Sequence, residues 1–303
     1  MPEKQDSVRL HRAKSKTSIR TAVALAALTA LCGAQNCIGQ AAPAAQPAHA
    51  TQNVVFDHYV QLTEARMAAD VAPGGAFLRV DALSPANRDA ARAALRNGEL
   101  KIESLITLDR GEKIACPNCL IHHWVGIVFI PGATLEQTLK LMQDYDHQAA
   151  VYTPEMVQSK IISHTGDDFH VFMRFHRTKI ITVVLDTEHD VHYQRLDAMR
   201  EISRSVSTRV QEVANAGSAK EHDRPPGQDN GYLWRINSYW KFLERDGGIY
   251  VQCESVSLTR DIPTGLGWLI GPYLESVPRE SLSFTLEATR KGLSHQLGQT
   301  DHR

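Results

Sequence analysis

A long run of segments with a hydrophobic period of two constrains what this chain can form. Between about residues 100 and 260, apolar and polar residues alternate in segment after segment, as in Phe169, Val171, Met173 and Phe175. Residues that alternate in this way lie on opposite faces of a β-strand. One helix interrupts the run, where the capping-box pattern Thr134-Leu-Glu-Gln137 follows a strand. The predicted order is therefore two strands, a helix, and five or six consecutive strands.

The last apolar pattern of the chain is helical. Beyond residue 278, Leu282, Leu286, Leu293 and Leu297 recur at multiples of about 3.6 residues. This spacing predicts a helix of about 20 residues, which would be about 30 Å long. Consecutive strands joined by short turns form an antiparallel meander, and a meander of about seven strands is strongly twisted. We therefore predict an α+β fold in which a curved antiparallel sheet is wrapped on a long C-terminal helix.

The first 99 residues divide into three parts. Residues 1–34 combine six basic side chains, the short apolar run Thr21–Leu31 and the small residues Gly33 and Ala34, which predicts a secretory signal peptide. An uncleaved N-terminal anchor is the alternative, although the run is shorter than the about 20 residues that span a bilayer. Residues 35–52 predict a disordered spacer rich in Ala, Pro and Gln, and residues 53–99 predict a helical extension. We expect a secreted or periplasmic protein.

Three cysteines follow the predicted leader and spacer. An exported protein meets oxidants, so Cys116 and Cys119 are expected to form a disulfide across the turn residues Pro117 and Asn118. A redox role and a metal site are the alternatives, and the metal site would recruit one of the two histidines at positions 122 and 123. Adjacent residues on a strand point to opposite faces, so both histidines cannot join easily. Cys253 is then an odd thiol, which we expect to be buried on a strand.

Charge and motifs argue against several classes of function. Lys and Arg number 33 and Asp and Glu number 34, so the chain has no basic footprint for nucleic acid. The sequence contains no Gly-x-Ser-x-Gly nucleophile elbow, no His-Glu-x-x-His metal motif, and no Walker or dinucleotide-binding glycine pattern. We therefore predict no catalytic residue, no metal and no cofactor, and we expect a binding protein rather than an enzyme.

The order of elements and several local segments resemble one known superfamily. These segments are Trp124–Gly132 before a helix, Asp144–Asp146 at the end of that helix, Tyr152–Pro154 before the next strand, and Pro278–Leu282 in the tail. They are similar to START-like, or SRPBCC, proteins, which include lipid-transfer domains, polyketide cyclases and coenzyme-Q-binding proteins. The resemblance covers a domain at about residues 100–298 and implies a helix-grip fold. It also implies a hydrophobic ligand held between the sheet and the C-terminal helix.

Side chains that could line such a ligand site come from the late strands and the tail. The candidates are Arg174, Tyr232, Trp234, Arg235, Trp240, Glu254, Trp268, Leu282 and Leu286. We expect an exported carrier or binding protein whose partner is a lipid or other hydrophobic small molecule, with only transient membrane contact. Two alternatives stay open: a cyclase- or hydrolase-like enzyme on the same fold, and an interaction module whose N-terminal helices dock a protein.

Overall fold

One antiparallel sheet carries most of the structure. The computed structural model describes residues 49–178, 181–261 and 267–300, with side chains from residue 276 to residue 298 in the last segment. The strands are β1 (Lys101–Ser104), β2 (Leu108–Asp109), β3 (Glu112–Lys113), β4 (Cys119–Pro131), β5 (Met156–Thr165), β6 (Asp168–Thr178), β7 (Thr182–Arg195), β8 (Arg200–Ala214), β9 (His222–Asp223), β10 (Arg235–Arg245) and β11 (Gly248–Arg260).

The helices lie before, between and after these strands. They are α1 (Ala50–Val71), α2 (Pro85–Arg96), α3 (Leu135–Gln143), α4 (Gln148–Val151) and α5 (Gly267–Thr300), with 3-10 turns at Arg79–Ala82 and Tyr145–His147. None of these helices, within the described part of the chain, is long and apolar enough to cross a membrane. The predicted signal peptide, and the spacer up to residue 48, lie outside the described residues.

The sheet order departs from a simple meander at one place. Across the described residues the sheet has nine strands, in the order β1-β4-β11-β10-β8-β7-β6-β5, with β9 paired to β8. Strands β5 to β8 are sequential neighbours, as predicted, but β4 pairs with β11 instead of β5. The chain leaves β4 through α3 and α4 and re-enters the sheet at its far edge with β5. The predicted α+β fold with a C-terminal helix is confirmed.

Local sequence signals set the beginnings of two helices. The Thr134 hydroxyl accepts a hydrogen bond from the Gln137 backbone N–H at 3.2 Å, and the Gln137 side chain accepts one from the Thr134 N–H at 3.0 Å. This reciprocal pair satisfies two N–H groups that the first turn of α3 leaves without partners. Pro85 is the first residue of α2, where its missing N–H removes no helical hydrogen bond.

Helix α5 packs closely on β4. Leu286 is fully buried against the sheet, and Leu282 and Leu293 are buried beside it on the same helix face. A Cβ added to Gly126 would lie 2.5 Å from Leu286 Cδ1, so a larger residue there would displace the Leu286 side chain from the strand. The predicted leucine stripe therefore forms the contact between the C-terminal helix and the sheet.

Helices α1 and α2 cover the other side of the sheet. Phe56 of α1 and Leu95 of α2 are fully buried, and Leu78 between the two helices is 1% exposed. These residues pack against sheet residues such as Tyr250 and Val256 of β11. The helical extension begins at Ala50, slightly before the predicted boundary at residue 53. It covers one of the two faces of the central strands.

Replacing Leu286 with alanine should destabilise the fold. The change leaves a cavity where α5 meets Gly126, so we expect the free energy of unfolding to fall by about 2–5 kcal/mol. Urea denaturation measures this loss, with Glu287→Ala, at the exposed neighbouring position, as the control. Equal stability of the two variants would show that α5 does not pack on the sheet.

Replacing Phe56 with alanine tests whether α1 is part of the core or a detachable docking module. Because Phe56 is fully buried against the sheet, we expect a loss of about 3–5 kcal/mol. Val54→Ala is the matched control, since Val54 lies on the same helix and is 69% exposed. A Phe56→Ala variant as stable as the control would favour the docking module.

Candidate functional site

Strand alternation divides the sheet into two faces with different covers. On β11, Ile249, Val251 and Cys253 pack in the cluster that includes the α5 leucines. Their neighbours Tyr250 and Val256 pack in the clusters below α1 and α2. We call the side that contacts α5 the inner face, and the side that contacts α1 and α2 the outer face.

The inner face changes character along the strands. Near the Gly248 end of β11 it is filled by large apolar side chains from strands and helices, namely Val128, Ile130, Leu135, Leu139, Phe242, Ile249, Val251, Leu286 and Leu293. Toward the Arg260 end it is lined by small hydroxyl side chains. We call this group the serine patch, and it consists of Ser203, Ser205, Ser207, Ser238, Ser255 and Ser257.

Strand register places the serines side by side. Ser255 of β11 lies opposite Ser238 of β10, and Ser238 lies opposite Ser205 of β8. The row ends at Trp124 of β4, opposite Ser255, and at Val191 of β7, opposite Ser205. Three neighbouring strands therefore present only small side chains at this level. At this level the sheet presents no large side chain for a helix crossing above it to pack against.

The direction of α5 brings its N-terminal half toward the serine patch. Leu286 lies over Gly126, and Leu297 is the nearest residue to the Cβ position of Gly132. Residue numbers on α5 and β4 thus increase together, and the helix continues from Leu282 back to Gly267 in the direction of Trp124. The tight leucine contact and the serine patch are successive levels of one inner face.

Partly buried aromatic rings border the patch. Trp124 and Trp240 contact the inner cluster without being enclosed by it. Trp240 lies opposite Ser203 and stacks parallel to the fully buried Phe242, with 6.1 Å between ring centroids. These rings offer flat apolar surface next to hydroxyl groups, an arrangement typical of small-molecule sites.

Two imidazoles lie on the inner face at the level of the serine patch. His122 Nε2 is 3.0 Å from Thr259 Oγ1, and His189 Nε2 is 3.0 Å from Thr187 Oγ1. Burial lowers the pKa of each histidine to about 4, because a charged ring would lose its hydration there. Both rings are neutral at pH 7, so the patch is polar but uncharged. The sequence contained a signal for both histidines, because each lies two residues from an inward-facing residue of its strand, His122 from Trp124 and His189 from Val191.

An arginine that the sequence analysis did not consider joins the sheet to α5. Arg177 of β6 donates to Glu280 at 3.0 Å, to Glu155 at 3.3 Å and to the Ser281 hydroxyl. Two of these partners lie on α5, so Arg177 holds the helix to the edge of the inner face.

The predicted ligand-binding residues do not lie on one surface. Trp240, Leu282 and Leu286 are on the inner side, but both leucines are buried in the contact with β4. Arg174 is held on the outer face by Asp186, at 2.6 and 2.7 Å, and by Glu221. It does not reach the space below α5, because it alternates with the inward-facing Met173 and Phe175. That Trp240, Leu282 and Leu286 contact a ligand stays a prediction.

Arg235 and Glu254 also lie on the outer face. The Arg235 guanidinium lies over the Phe56 ring at 5.1 Å, below α1. Glu254 is 2% exposed and accepts a hydrogen bond from His123 at 2.7 Å. Their parity explains this placement, since Trp240 and Cys253 are the inward-facing residues of the same two strands. Neither side chain can contact a ligand held between the sheet and α5.

The aromatic residues before β10 are separated from Trp240. Strand β10 begins at Arg235, so Tyr232 and Trp234 precede the alternation that was predicted to include them. Trp234 stacks on His49 at 3.8 Å and donates to Asp229 at 2.7 Å, on the side of α1. Tyr232 is 36% exposed in the loop before the strand. The side chain of Trp268 lies outside the described residues.

The cysteines and neighbouring histidines make no common site. Cys116 and Cys119 are joined by a disulfide, with their Cα atoms 5.3 Å apart. His122 and His123 point to opposite faces of β4, as strand alternation predicted. Within the described residues, no group of three His, Cys, Asp or Glu side chains could hold a metal ion. Cys253 is a free thiol buried on β11, and burial raises its pKa.

The curved sheet closed by α5 is the helix-grip arrangement that the sequence analysis predicted. The sequence matches no protein-family model and no curated protein at a significant level. Among solved structures, the chain is similar to a protein from Thermus thermophilus, with 14% identity and a TM-score of 0.42 over 57% of this chain and 97% of that one.

Two further solved structures are similar over a comparable part of the chain. A STAR-related lipid transfer protein from Xanthomonas axonopodis has 15% identity and a TM-score of 0.39, over 63% of this chain and 98% of that one. The Zhui aromatase/cyclase from a Streptomyces species has 12% identity and a TM-score of 0.40, over 59% of this chain and 96% of that one. The assignment of the fold rests on the strand order and α5 of this chain itself.

The buried imidazole of His189 should make stability depend on pH. In the unfolded chain a histidine binds a proton near its ordinary pKa of 6.5, whereas His189 in the fold binds one only near pH 4. Stability should therefore fall as pH decreases from about 6.5 to 4, by up to about 3 kcal/mol at 1.36 kcal/mol per pKa unit. Urea denaturation at several pH values measures the slope.

The variant His189→Gln should remove about half of the acid-dependent loss of stability, because His122, whose pKa is lowered equally, still titrates. His192→Gln, at an exposed position on the same strand, is the control and should keep the slope. The interpretation fails if His189→Gln retains the full acid-dependent loss of stability.

Proposed function

We propose that this protein binds a lipid or other hydrophobic small molecule between the inner face of the sheet and α5, and carries it without chemical change. The serine patch supports this proposal most directly. Ser205, Ser238 and Ser255 are neighbours on three strands, at a level where a solid core would need large apolar side chains. A ligand bound there would fill the volume that leucine and phenylalanine side chains fill at the other end of the sheet.

The chemistry of the walls fits a ligand that is mainly apolar with a few polar groups. Burial of apolar ligand surface contributes about 25 cal/mol per Å² before the costs of association. Trp124 and Trp240 provide aromatic surface, while serine hydroxyls and the neutral rings of His122 and His189 provide hydrogen-bonding groups. Such groups suit the hydroxyl or carbonyl oxygens of a ligand better than a charged head.

The alternative of an enzyme on the same fold requires charged groups that converge between the inner face and α5. It required Arg174 or Arg235 together with Glu254 or a histidine on one pocket wall. All three charged residues lie on the outer face, away from α5. The charged residues that this alternative named therefore do not converge below α5, and the charges at the edge of the inner face, Arg177 with Glu155 and Glu280, are paired with one another. Binding is the function that the site supports best.

Export is a second part of the proposal. It is supported by the basic, apolar and small-residue succession of residues 1–34, and by the Cys116–Cys119 disulfide, which persists in oxidising compartments. We expect the protein recovered from its native source to begin after Ala34, with this disulfide formed. Intact-protein mass spectrometry tests both points, and a mature chain that retains residue 1 would contradict cleavage.

Filling the space above the serine patch should abolish ligand binding without unfolding the protein. The variant Ser238→Phe places a ring in the middle of the patch, where we expect Nile red, an uncharged hydrophobic dye, to bind. Dye fluorescence should fall by about tenfold or more, because the ring occupies the volume that the dye needs. Native mass spectrometry of the purified wild type should also reveal an extractable lipid that Ser238→Phe lacks.

The control is Thr208→Phe, an exposed position on β8 that adds the same ring outside the grip. It should bind the dye as the wild type does. Circular dichroism and thermal unfolding confirm that both variants are folded. The proposal is overturned if folded Ser238→Phe binds dye and lipid as well as Thr208→Phe does.

A further inference from the structure

We infer that the outer face carries a second, independent binding site, which takes the carboxylate of a fatty-acid-like amphiphile. The site is a pocket of about 510 Å³ between α1, the 3-10 turn at Arg79–Ala82 and the segment that follows β1. Its lining combines Arg66, Arg79 and Glu103 with the apolar side chains of Leu62, Ile106 and Leu108. None of these residues belongs to the serine patch.

One arginine of the pocket is fixed from behind by buried groups. Arg66 donates to Asp70 at 2.9 Å and to Glu254, which is 2% exposed. Glu254 also accepts from His123 at 2.7 Å, and the other ring nitrogen of His123 is 2.9 Å from the Tyr59 hydroxyl. This chain of contacts holds the Arg66 guanidinium at the pocket wall. A guanidinium has five N–H groups, and these two bonds leave others for a ligand.

The second arginine has a partner that a ligand can replace. Arg79 donates from Nε and Nη2 to both carboxylate oxygens of Glu103, at 3.0 and 2.7 Å. Both side chains are close to half exposed, and ion pairs of that kind contribute at most about 1 kcal/mol. The Arg79 backbone is anchored separately, since its N–H donates to Gln252 at 2.7 Å. Exchange of Glu103 for a ligand carboxylate therefore leaves Arg79 in place.

Exposed apolar side chains specify the rest of the ligand. Ile106 is 61% exposed and Leu108 is 46% exposed, and both line the same pocket as the arginines. Leu62 and Leu105 extend this apolar wall. Large apolar residues exposed beside fixed cations suit an amphiphile with one planar anionic head, because a carboxylate pairs with a guanidinium through two parallel hydrogen bonds. An acyl chain attached to that head covers Ile106 and Leu108.

The test is a titration with laurate, followed by methyl NMR at assigned isoleucine and leucine positions. In the wild type, the Ile106 methyl signals should shift and saturate. Glu103→Gln should tighten laurate binding by about fivefold, because it removes the negative charge that competes for Arg79. Ile106→Glu should weaken binding by about tenfold or more, because it places a like charge beside the carboxylate.

Val54→Glu is the control for added charge, since Val54 is 69% exposed on α1 and does not line the pocket. It should leave laurate binding unchanged. The inference is overturned if Ile106 signals do not shift with laurate, if Glu103→Gln binds no tighter than the wild type, or if Ile106→Glu and Val54→Glu behave alike.

The inner-face variant separates this site from the proposed carrier function. Ser238→Phe should lose Nile red binding and keep the laurate shift at Ile106. A laurate shift at Ile106 that disappears in Ser238→Phe would mean that laurate acts from the inner face, which overturns the second site. If the wild type binds Nile red but its Ile106 signals do not shift with laurate, the second site is overturned and the carrier proposal still stands.

Discussion

A sheet covered by helices on both faces underlies every other feature of this protein. Where β4, β10 and β11 lie between α5 and the pair α1 and α2, every residue is committed to one cover or the other by strand alternation. The commitment is strict, because a shift of one residue would exchange the two faces. The close approach of Leu286 to Gly126 marks where α5 crosses the apolar level of the inner face, while strand register places the serines at the next level.

The two covers give the two faces different chemistry. At the serine patch the inner face holds neutral polar groups, and burial keeps the rings of His122 and His189 uncharged. The outer face holds buried charges in fixed arrangements, among them Glu254 between His123 and Arg66. A buried charge is tolerated only where partners satisfy it, which explains why these residues form a connected chain. The proposed apolar ligand and the proposed carboxylate ligand follow from this difference.

Local signals in the sequence were sufficient for the elements themselves. The capping box at Thr134 and the leucine stripe of α5 each depend on a few neighbouring residues, and each is found as predicted. The proline at the start of α2 is a local signal of the same kind. The sequence did not identify the candidate site equally well. Arg174, Arg235 and Glu254 were grouped with Trp240 by residue type, although parity assigns them to the other face.

Residue patterns alone were enough to establish which segments are strands and helices, and that each strand has two distinct sides. They could not establish which side meets which helix, because α1, α2 and α5 all bury one face and a period of two marks the sides without naming them. Long-range contacts settled this, through the pairing of β4 with β11 and the crossing of α5 at Gly126. The pairing of β8, β10 and β11 sets the serines of three separate strands side by side, a proximity that no local pattern contains.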